Sequence, residues 1–383
     1  MRSRMFIIKS RGQYKVITRI KFNSILKAVS CQCTDKLIDL KCDNGFISLR
    51  ADQSGIWKFK KRYSRKKPDQ IITELWNIEH DGQALDVIIK YSVKPNKMFE
   101  DSIVHLRNIR EHSSPIINHS VPRVKYIENV GSNDRTSGMP VIIFPYIEGI
   151  SLRKYLNKNV IDGKEDICKQ EDVLISCVNT IKQVHELPLI VKNIDLSPQK
   201  LTGSVVLTRR VEAFLMDKFP IRRLLSRIHA NKYETVINDI KQYGISYIHR
   251  DCFPHNFIID KNNLACLIDW ESLDAGTCLE DLSQFMGSVI MSFIVGGYEC
   301  DRLERLHDRV MGFYNNRVSD CLSYKIFLLR AIARFSPLTM KHFDVIYPRN
   351  SKLNKILNLN YPRIVNNYYA YFRKLLRGIE DVL

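Results

Sequence analysis

Ile248-His-Arg-Asp251-Cys-Phe-Pro-His-Asn256-Phe-Ile-Ile-Asp260-Lys-Asn-Asn-Leu-Ala-Cys-Leu-Ile-Asp269-Trp-Glu271 is the stretch on which the reading of the chain turns. Three polar side chains interrupt it, at Asp251, Asn256 and Asp269, with His249 and Arg250 just ahead of the first. Asn256–Ile259 and Leu264–Ile268 bracket a turn at Asp260–Asn263, the pattern of a β-hairpin. Such a hairpin carries Asn256 at one end and Asp269 at the other, side by side. An amide oxygen and a carboxylate so placed suit a hard cation such as magnesium, which takes oxygen ligands and keeps waters and substrate phosphates for the rest. Asp251, in the loop just before, is close enough to take a proton from a substrate hydroxyl.

The order His-x-Asp-x-x-x-x-Asn followed by Ile-Asp resembles the catalytic loop of protein kinases, in which the first Asp is the base and the Asn and second Asp hold the metals. Two details point to another branch. Pro254 lies two residues before Asn256, and Ile268-Asp269-Trp270-Glu271 replaces Asp-Phe-Gly. Both are typical of the aminoglycoside phosphotransferase / choline kinase-like family, which this segment resembles. That family usually has His-Gly-Asp where this chain has His249-Arg250-Asp251. The resemblance implies an α+β, bilobal protein-kinase-like fold, with an N-terminal antiparallel sheet lobe and a mainly helical C-terminal lobe. It further implies ATP and magnesium as cofactors.

Upstream, Phe46–Leu49, Ile56–Phe59, Ile71–Ile78 and Leu85–Tyr91 are rich in β-branched and aromatic residues and read as strands. Asp81-Gly82 is a hairpin turn between the last two. Lys90, at the end of Asp86-Val-Ile-Ile-Lys, resembles the strand lysine that steadies the α- and β-phosphates. Phe99, Ile103, Leu106 and Ile109 recur at helical spacing. Glu100 on this helix is the leading partner for Lys90, with Asp101 as the alternative. There is no Gly-rich loop. The segment Tyr63–Gln70 reads as a loop whose Ser64 and basic residues face the phosphates, and Gln53-Ser-Gly55 is a second candidate. Val121–Ile127 and Pro140–Gly149 read as the last strands of this lobe. The second resembles the family's hinge, where backbone groups of Phe144, Tyr146 and Ile147 bind adenine before a helix begins at Ser151. The domain limits that follow are a basic extension over 1–40, a nucleotide-binding β-rich lobe over 41–147 and a helical catalytic and substrate lobe over 148–383.

Downstream, residues 171–187 form a helix whose Val173, Leu174, Cys177, Val178, Ile181, Val184 and Leu187 share a face. His185 at its end reads as structural. Asp281, in Leu279-Glu-Asp-Leu-Ser-Gln-Phe285, fits either the family's clamp on the catalytic-loop backbone or a helix N-cap. Residues 302–383 read as a closing helical layer.

Formal net charge is +18, and it is unevenly spread. Residues 1–70 hold 18 Lys/Arg against 5 Asp/Glu, a net +13, whereas the rest holds 41 against 36, a net +5. The densest run, residues 58–67, attracts anions such as nucleic acid, acidic lipid head groups or a phosphorylated substrate. Ten cysteines show no zinc-type pairing, which points to reduced, mostly buried thiols. The N-terminal apolar runs are too short for a signal segment, and Phe285–Gly297 falls short of a membrane span, so a cytoplasmic or membrane-peripheral location is expected.

The reading that follows is an ATP- and magnesium-dependent phosphotransferase acting on a hydroxyl of a small molecule. Asp251 is the base, His249 supports the loop, and Asn256 and Asp269 hold magnesium. A +18 chain does not suggest a cationic acceptor, so a neutral or anionic, sugar-like or glycolipid acceptor is preferred. The alternative is a non-catalytic kinase-like module that binds an anionic partner through the basic N-terminal region. A protein kinase is disfavoured because the Gly-rich loop, Asp-Phe-Gly and an Ala-Pro-Glu segment are all missing.

Overall fold

In the computed structural model, the described residues are 6–10, 13–17, 38–42, 45–49, 57–66, 71–80, 83–92, single helical positions between 99 and 106, 141–161, 167–187, 242–315, 317–334 and 351–381, with isolated positions at 189 and 238. The chain divides into two units, Met1–Glu111 with Pro122–Tyr146, and His112–Val121 with Ile147–Leu383. The first is a set of antiparallel sheets and the second is mostly helical.

The first unit holds two separate hairpins and one four-stranded sheet. The hairpins pair β1 (Phe6–Ser10) with β2 (Gln13–Ile17), and β3 (Ile38–Cys42) with β4 (Gly45–Leu49). The sheet is an antiparallel meander of β5 (Trp57–Lys66), β6 (Ile71–His80), β7 (Gln83–Ser92) and β8 (Val141–Pro145). β6 and β7 pair out to His80 opposite Gln83, which leaves Asp81-Gly82 as the connection. Lys90 lies within β7, opposite Thr73 and Ile142, and is buried.

One expectation is corrected here. Tyr63–Lys66 is not loop but the second half of β5, where Ser64 pairs with Glu74. The register shifts between Lys61 and Tyr63, a bulge that lets the strand run on through the cationic stretch. The backbone of Ser64 is in register with Glu74, which in turn pairs with Ile89. Glu100, Gln53–Gly55 and Val121–Ile127 lie outside the described residues. Phe99 and Leu106 are helical and buried, as their spacing predicts.

The second unit begins with a short strand, β9 (Ile150–Ser151), and helix α1 (Leu152–Leu156), which Ser151 caps by accepting from the Lys154 N–H. Helix α2 (Ile167–His185) buries all seven apolar positions read from the sequence, Leu187 included just past its end. Its Ser176 and Thr180 face β12 (Ala265–Leu267) and satisfy the N–H and C=O of Ala265 at 2.9 and 3.0 Å. A sheet edge that would otherwise bury unpaired backbone groups is thereby closed. Helix α3 (Cys278–Val295) is capped by Thr277, and 16 of its 18 residues are buried. It alone among the described helices is long and apolar enough to cross a membrane, but it is 89% buried. A helix that is apolar all round is a core helix when other elements cover it. Here α2, α4 (Cys300–Gly312), α5 (Leu322–Arg334) and α6 (Ser351–Glu380) do so.

The α3–α5 crossing requires a glycine. A Cβ at Gly287 would stand 2.6 Å from the Ala331 Cβ, well inside van der Waals contact. Alanine at 287 gains about 1 kcal/mol of helix propensity but forces the helices apart, and overpacking a close-packed core costs typically 1–3 kcal/mol. Gly287→Val is therefore expected to lower the denaturation midpoint more than Gly287→Ala, and an urea titration of both against wild type checks the order.

Candidate functional site

The hairpin expected from the sequence is present. β11 (Phe257–Ile259) pairs with β12 in the register Phe257↔Leu267, Ile258↔Cys266, Ile259↔Ala265. Asp260 builds the turn, its Oδ1 accepting the N–H groups of Asn262 and Leu264 at 2.8 Å each. Asn263 takes the left-handed conformation at φ 60°, which asparagine tolerates well. On its other edge β11 pairs with β9, and Gly149 just before β9 makes that approach possible. A Cβ there would lie 2.4 Å from the Ile259 carbonyl oxygen.

The ends of the hairpin carry the polar groups. Asn256 accepts the Ile268 N–H on its carbonyl at 2.8 Å, so the residue before Asp269 is tied to Asn256. The Asn256 side-chain nitrogen donates to both the carbonyl and the carboxylate of Asp251, each at 2.8 Å. Both acceptors are oxygens, so the amide cannot be flipped without losing both bonds. With its nitrogen committed to Asp251, Asn256 has only Oδ1 to offer a cation. Asp269 sits in a left-handed turn at φ 71°, ψ 48°, just before a single 3-10 turn over Trp270–Ser272. That conformation costs a non-glycine residue about 1–2 kcal/mol. Trp270 anchors the turn, fully buried, with its indole N–H on the Leu267 carbonyl at 3.0 Å.

The loop carrying Asp251 hangs on one buried carboxylate. Asp281, on the first turn of α3, accepts the His249 N–H at 2.6 Å and the Arg250 N–H at 2.8 Å, one on each oxygen. The N-cap of α3 is Thr277, so of the two readings of Asp281 the backbone clamp is the observed one. His185, at the end of α2, reaches the same carboxylate through Nε2 at 3.2 Å, with its Nδ1 2.9 Å from the Tyr314 hydroxyl. Burial pushes the Asp281 carboxyl up. The His185 hydrogen bond and the charges of His185 and His249 outweigh this and hold it below its ordinary value. The His249 ring donates from Nε2 to the Ile268 carbonyl at 2.9 Å and meets Trp270 edge-on at 5.2 Å. It therefore joins the Asp251 loop to the Asp269 turn, and the carbonyl acceptor fixes its proton on Nε2.

Two features were not visible as such in the sequence. Arg250 stands at φ 63°, in the left-handed region. Its guanidinium pairs with Asp274 at 3.0 Å, and Asp274 belongs to β13 (Asp274–Gly276), which pairs with β10 (Ser246–Ile248). Cys252, next to Asp251, is fully buried, and its thiol is pushed well up by burial and by the Asp281 charge. Cys278 is likewise raised to about 11, mainly by burial. Neither is an activated nucleophile.

The remaining candidates are distributed as follows. Asp251, Asn256, Asp269, His249 and Ile147 belong to the second unit, and Lys90, Phe144 and Tyr146 to the first. Phe144 lies in β8 opposite Ile88, and the Tyr146 N–H is donated to the Asp86 carbonyl at 2.8 Å. A base docking here finds that donor already taken. Asp101 is exposed. Among the described residues no group of three or more His, Cys, Asp or Glu side chains is placed to hold a metal ion. An Asn oxygen and one carboxylate fit magnesium, which completes its shell with waters and phosphates, better than an all-protein cage.

The family model described as the phosphotransferase enzyme family matches residues 106–297, half of the chain. Among solved structures, an aminoglycoside phosphotransferase from Alicyclobacillus acidocaldarius is similar at 13% identity and TM-score 0.46, over 84% of this chain and 93% of that one. A choline kinase from Cryptosporidium parvum is similar at 13% identity and TM-score 0.44, over 85% and 90%. An aminoglycoside phosphotransferase from Streptomyces rimosus is similar at 13% identity and TM-score 0.41, over 70% and 92%. No curated protein sequence gives a match.

Asp281→Asn tests the clamp. The asparagine nitrogen turns toward a backbone donor, leaving a buried N–H unsatisfied at a cost of about 1–3 kcal/mol. Because the folded pKa of Asp281 lies below its ordinary value of 3.8, its contribution is complete at neutral pH and is lost as pH falls through the acid range beneath that value. Thermal denaturation is expected to show Asp281→Asn less stable than wild type at pH 7, with the gap narrowing below about pH 4.

Proposed function

The chain belongs to the phosphotransferase enzyme family, and from the geometry of its site we propose that it transfers the γ-phosphate of ATP to a hydroxyl of a small molecule. The observation that carries this reading is the Asn256 amide held on Asp251 while the Asn256 carbonyl holds the residue before Asp269. The Asp251 loop and the Asp269 turn are thereby fixed to one another through a single residue, by its side chain on one side and its backbone on the other.

In this reading Asn256 Oδ1 and the Asp269 carboxylate hold magnesium, which neutralises charge on the phosphates and polarises the group to be transferred. Asp251 Oδ2, held by Asn256, orients the acceptor hydroxyl and takes its proton. The hydroxyl oxygen bonds to the γ-phosphorus while the bond to the bridging oxygen breaks, and ADP leaves. His249 keeps the loop and the Asp269 turn in register and does not touch the reacting atoms. Catalysis of this kind rests on positioning and charge stabilisation.

A bilobal kinase-like arrangement gives Lys90 the role of steadying the α- and β-phosphates, with Glu100 or Asp101 as its partner. Adenine contacts at the hinge fall to the backbone beyond the Tyr146 N–H, including Ile147. The acceptor is neutral or anionic, sugar-like or a glycolipid. The +18 net charge supports this, as does the exposure of Arg250 and His255 on either side of Asp251. The basic run at 58–67, of which 58–66 lies on β5, an outer strand among the described strands of its sheet, is the proposed contact for an acidic surface.

Calorimetric ATP titration with and without magnesium, together with ATP turnover, tests the reading. Asp269→Ala is expected to lose the magnesium-dependent part of binding. Asp251→Asn is expected to keep binding and lose turnover by roughly 10²–10⁴-fold, the range for a positioned base. A wild-type chain that binds no nucleotide with any divalent cation sinks the enzymatic reading and leaves the anion-binding alternative.

A further inference from the structure

We propose that Arg250 is a positioning residue for Asp251. Its ion pair with Asp274 locks the left-handed turn that presents Asp251, and ties that turn to the strand that follows Asp269. Three observations converge on it. The backbone at 250 has φ 63°, a conformation that glycine takes freely and that brings an arginine Cβ against its own chain. The β10–β13 ladder ends at Ile248 opposite Asp274, so backbone pairing stops two residues short of Arg250. Beyond that point the Arg250 guanidinium extends the link, with Nη1 3.0 Å from Asp274 Oδ2.

The acceptor carboxylate is itself held. Asp274 Oδ1 takes the Ala275 N–H at 2.9 Å, so the pair has a fixed end. Asp274 lies five residues past Asp269 and leaves the turn in which that residue sits. The pair therefore spans from the residue before the base to the segment after the metal-holding Asp. It is the outer counterpart of the His249 link to Ile268.

Magnitudes indicate what kind of effect to expect. The Arg250 side chain is 43% exposed and that of Asp274 21%, so solvent screens the pair and its share of global stability is small. Asp281 still holds the Arg250 N–H when the guanidinium is removed. Loss of the pair thus loosens the loop without unfolding the unit. A loosened loop widens the range of positions open to Asp251, and misplacement of a reacting group by an ångström is felt strongly in rate.

Hydrogen exchange on the nucleotide-free protein gives the first test and does not depend on any activity. Phe253 and Asn256 donate their N–H groups to Asp251 and Phe253 carbonyls within the loop, at 2.8 Å each. In Arg250→Ala and in Asp274→Asn these amides are expected to exchange roughly tenfold faster. Arg250→Lys is expected to recover much of the protection, and Arg309→Ala, which breaks an exposed pair with Glu171 elsewhere, to change nothing. The second test rests on the phosphotransferase reading. In both variants kcat for ATP turnover is expected to fall roughly 10- to 100-fold with KM for ATP within about twofold. The double variant is expected to be no worse than either single one, because both remove the same link. Unchanged exchange at Phe253 and Asn256 overturns the proposal, as does a double-variant loss equal to the product of the single losses. A wild type that turns over no ATP refutes the phosphotransferase reading instead, and the exchange result alone then decides Arg250.

Discussion

One buried carboxylate supports the site. Asp281 accepts consecutive backbone N–H groups from His249 and Arg250, and His185 closes on it from another helix. Burying a charge is expensive unless hydrogen bonds surround it. Here the bonds are supplied by the loop that must be held, so the demand of the carboxylate for donors and the demand of the loop for a fixed shape are met together. Removing Asp281 takes the acceptor from two consecutive N–H groups, that of His249 in the buried interior. One of those two N–H groups belongs to Arg250, whose backbone is in the left-handed region.

From this anchor the polar groups follow in a chain of short contacts. Asp281 fixes His249, the His249 ring fixes the Ile268 carbonyl, and Asn256 fixes both the Ile268 N–H and the Asp251 carboxylate. Every link but the ring of His249 and the side chain of Asn256 is backbone or carboxylate. Those two side chains are both almost fully buried. A site built in this way has little to reorganise when substrate arrives, which is where positioning gains its effect on rate.

Much of this was legible in the sequence, for identifiable reasons. The hairpin announces itself because β-branched residues flank Asp260–Asn263, and the structure turns there on the Asp260 side chain. The face of α2 was readable because its apolar spacing is regular. Other features depend on distant partners and leave weaker local marks. β9 is two residues long and pairs with β11, more than a hundred residues away, so Ile150–Ser151 reads only as a junction. The extension of β5 through Tyr63–Lys66 was hidden by its cations, which break the alternation that marks a strand, and by the shift at Lys61/Tyr63. In the sequence Asp281 fits two roles, although Thr277, just ahead of the helix, is the better cap by position. Arg250 in place of the family's glycine was a visible departure, but its left-handed turn and its reach to Asp274 needed coordinates.

The separation between the loop and its anchor bears on synthesis of the chain. Asp281 lies 32 residues after His249. At about 5–20 residues per second, the ribosome adds that stretch in roughly 2–6 s. Throughout that interval His249, Arg250 and Asp251 exist without the carboxylate that shapes them, and α3, the main apolar body of the unit, is unmade. A nascent chain that stops before α3 therefore carries every residue of the hairpin yet lacks the carboxylate that holds the Asp251 loop. The shape of the loop is thus completed late and in one step, with the docking of a single helix.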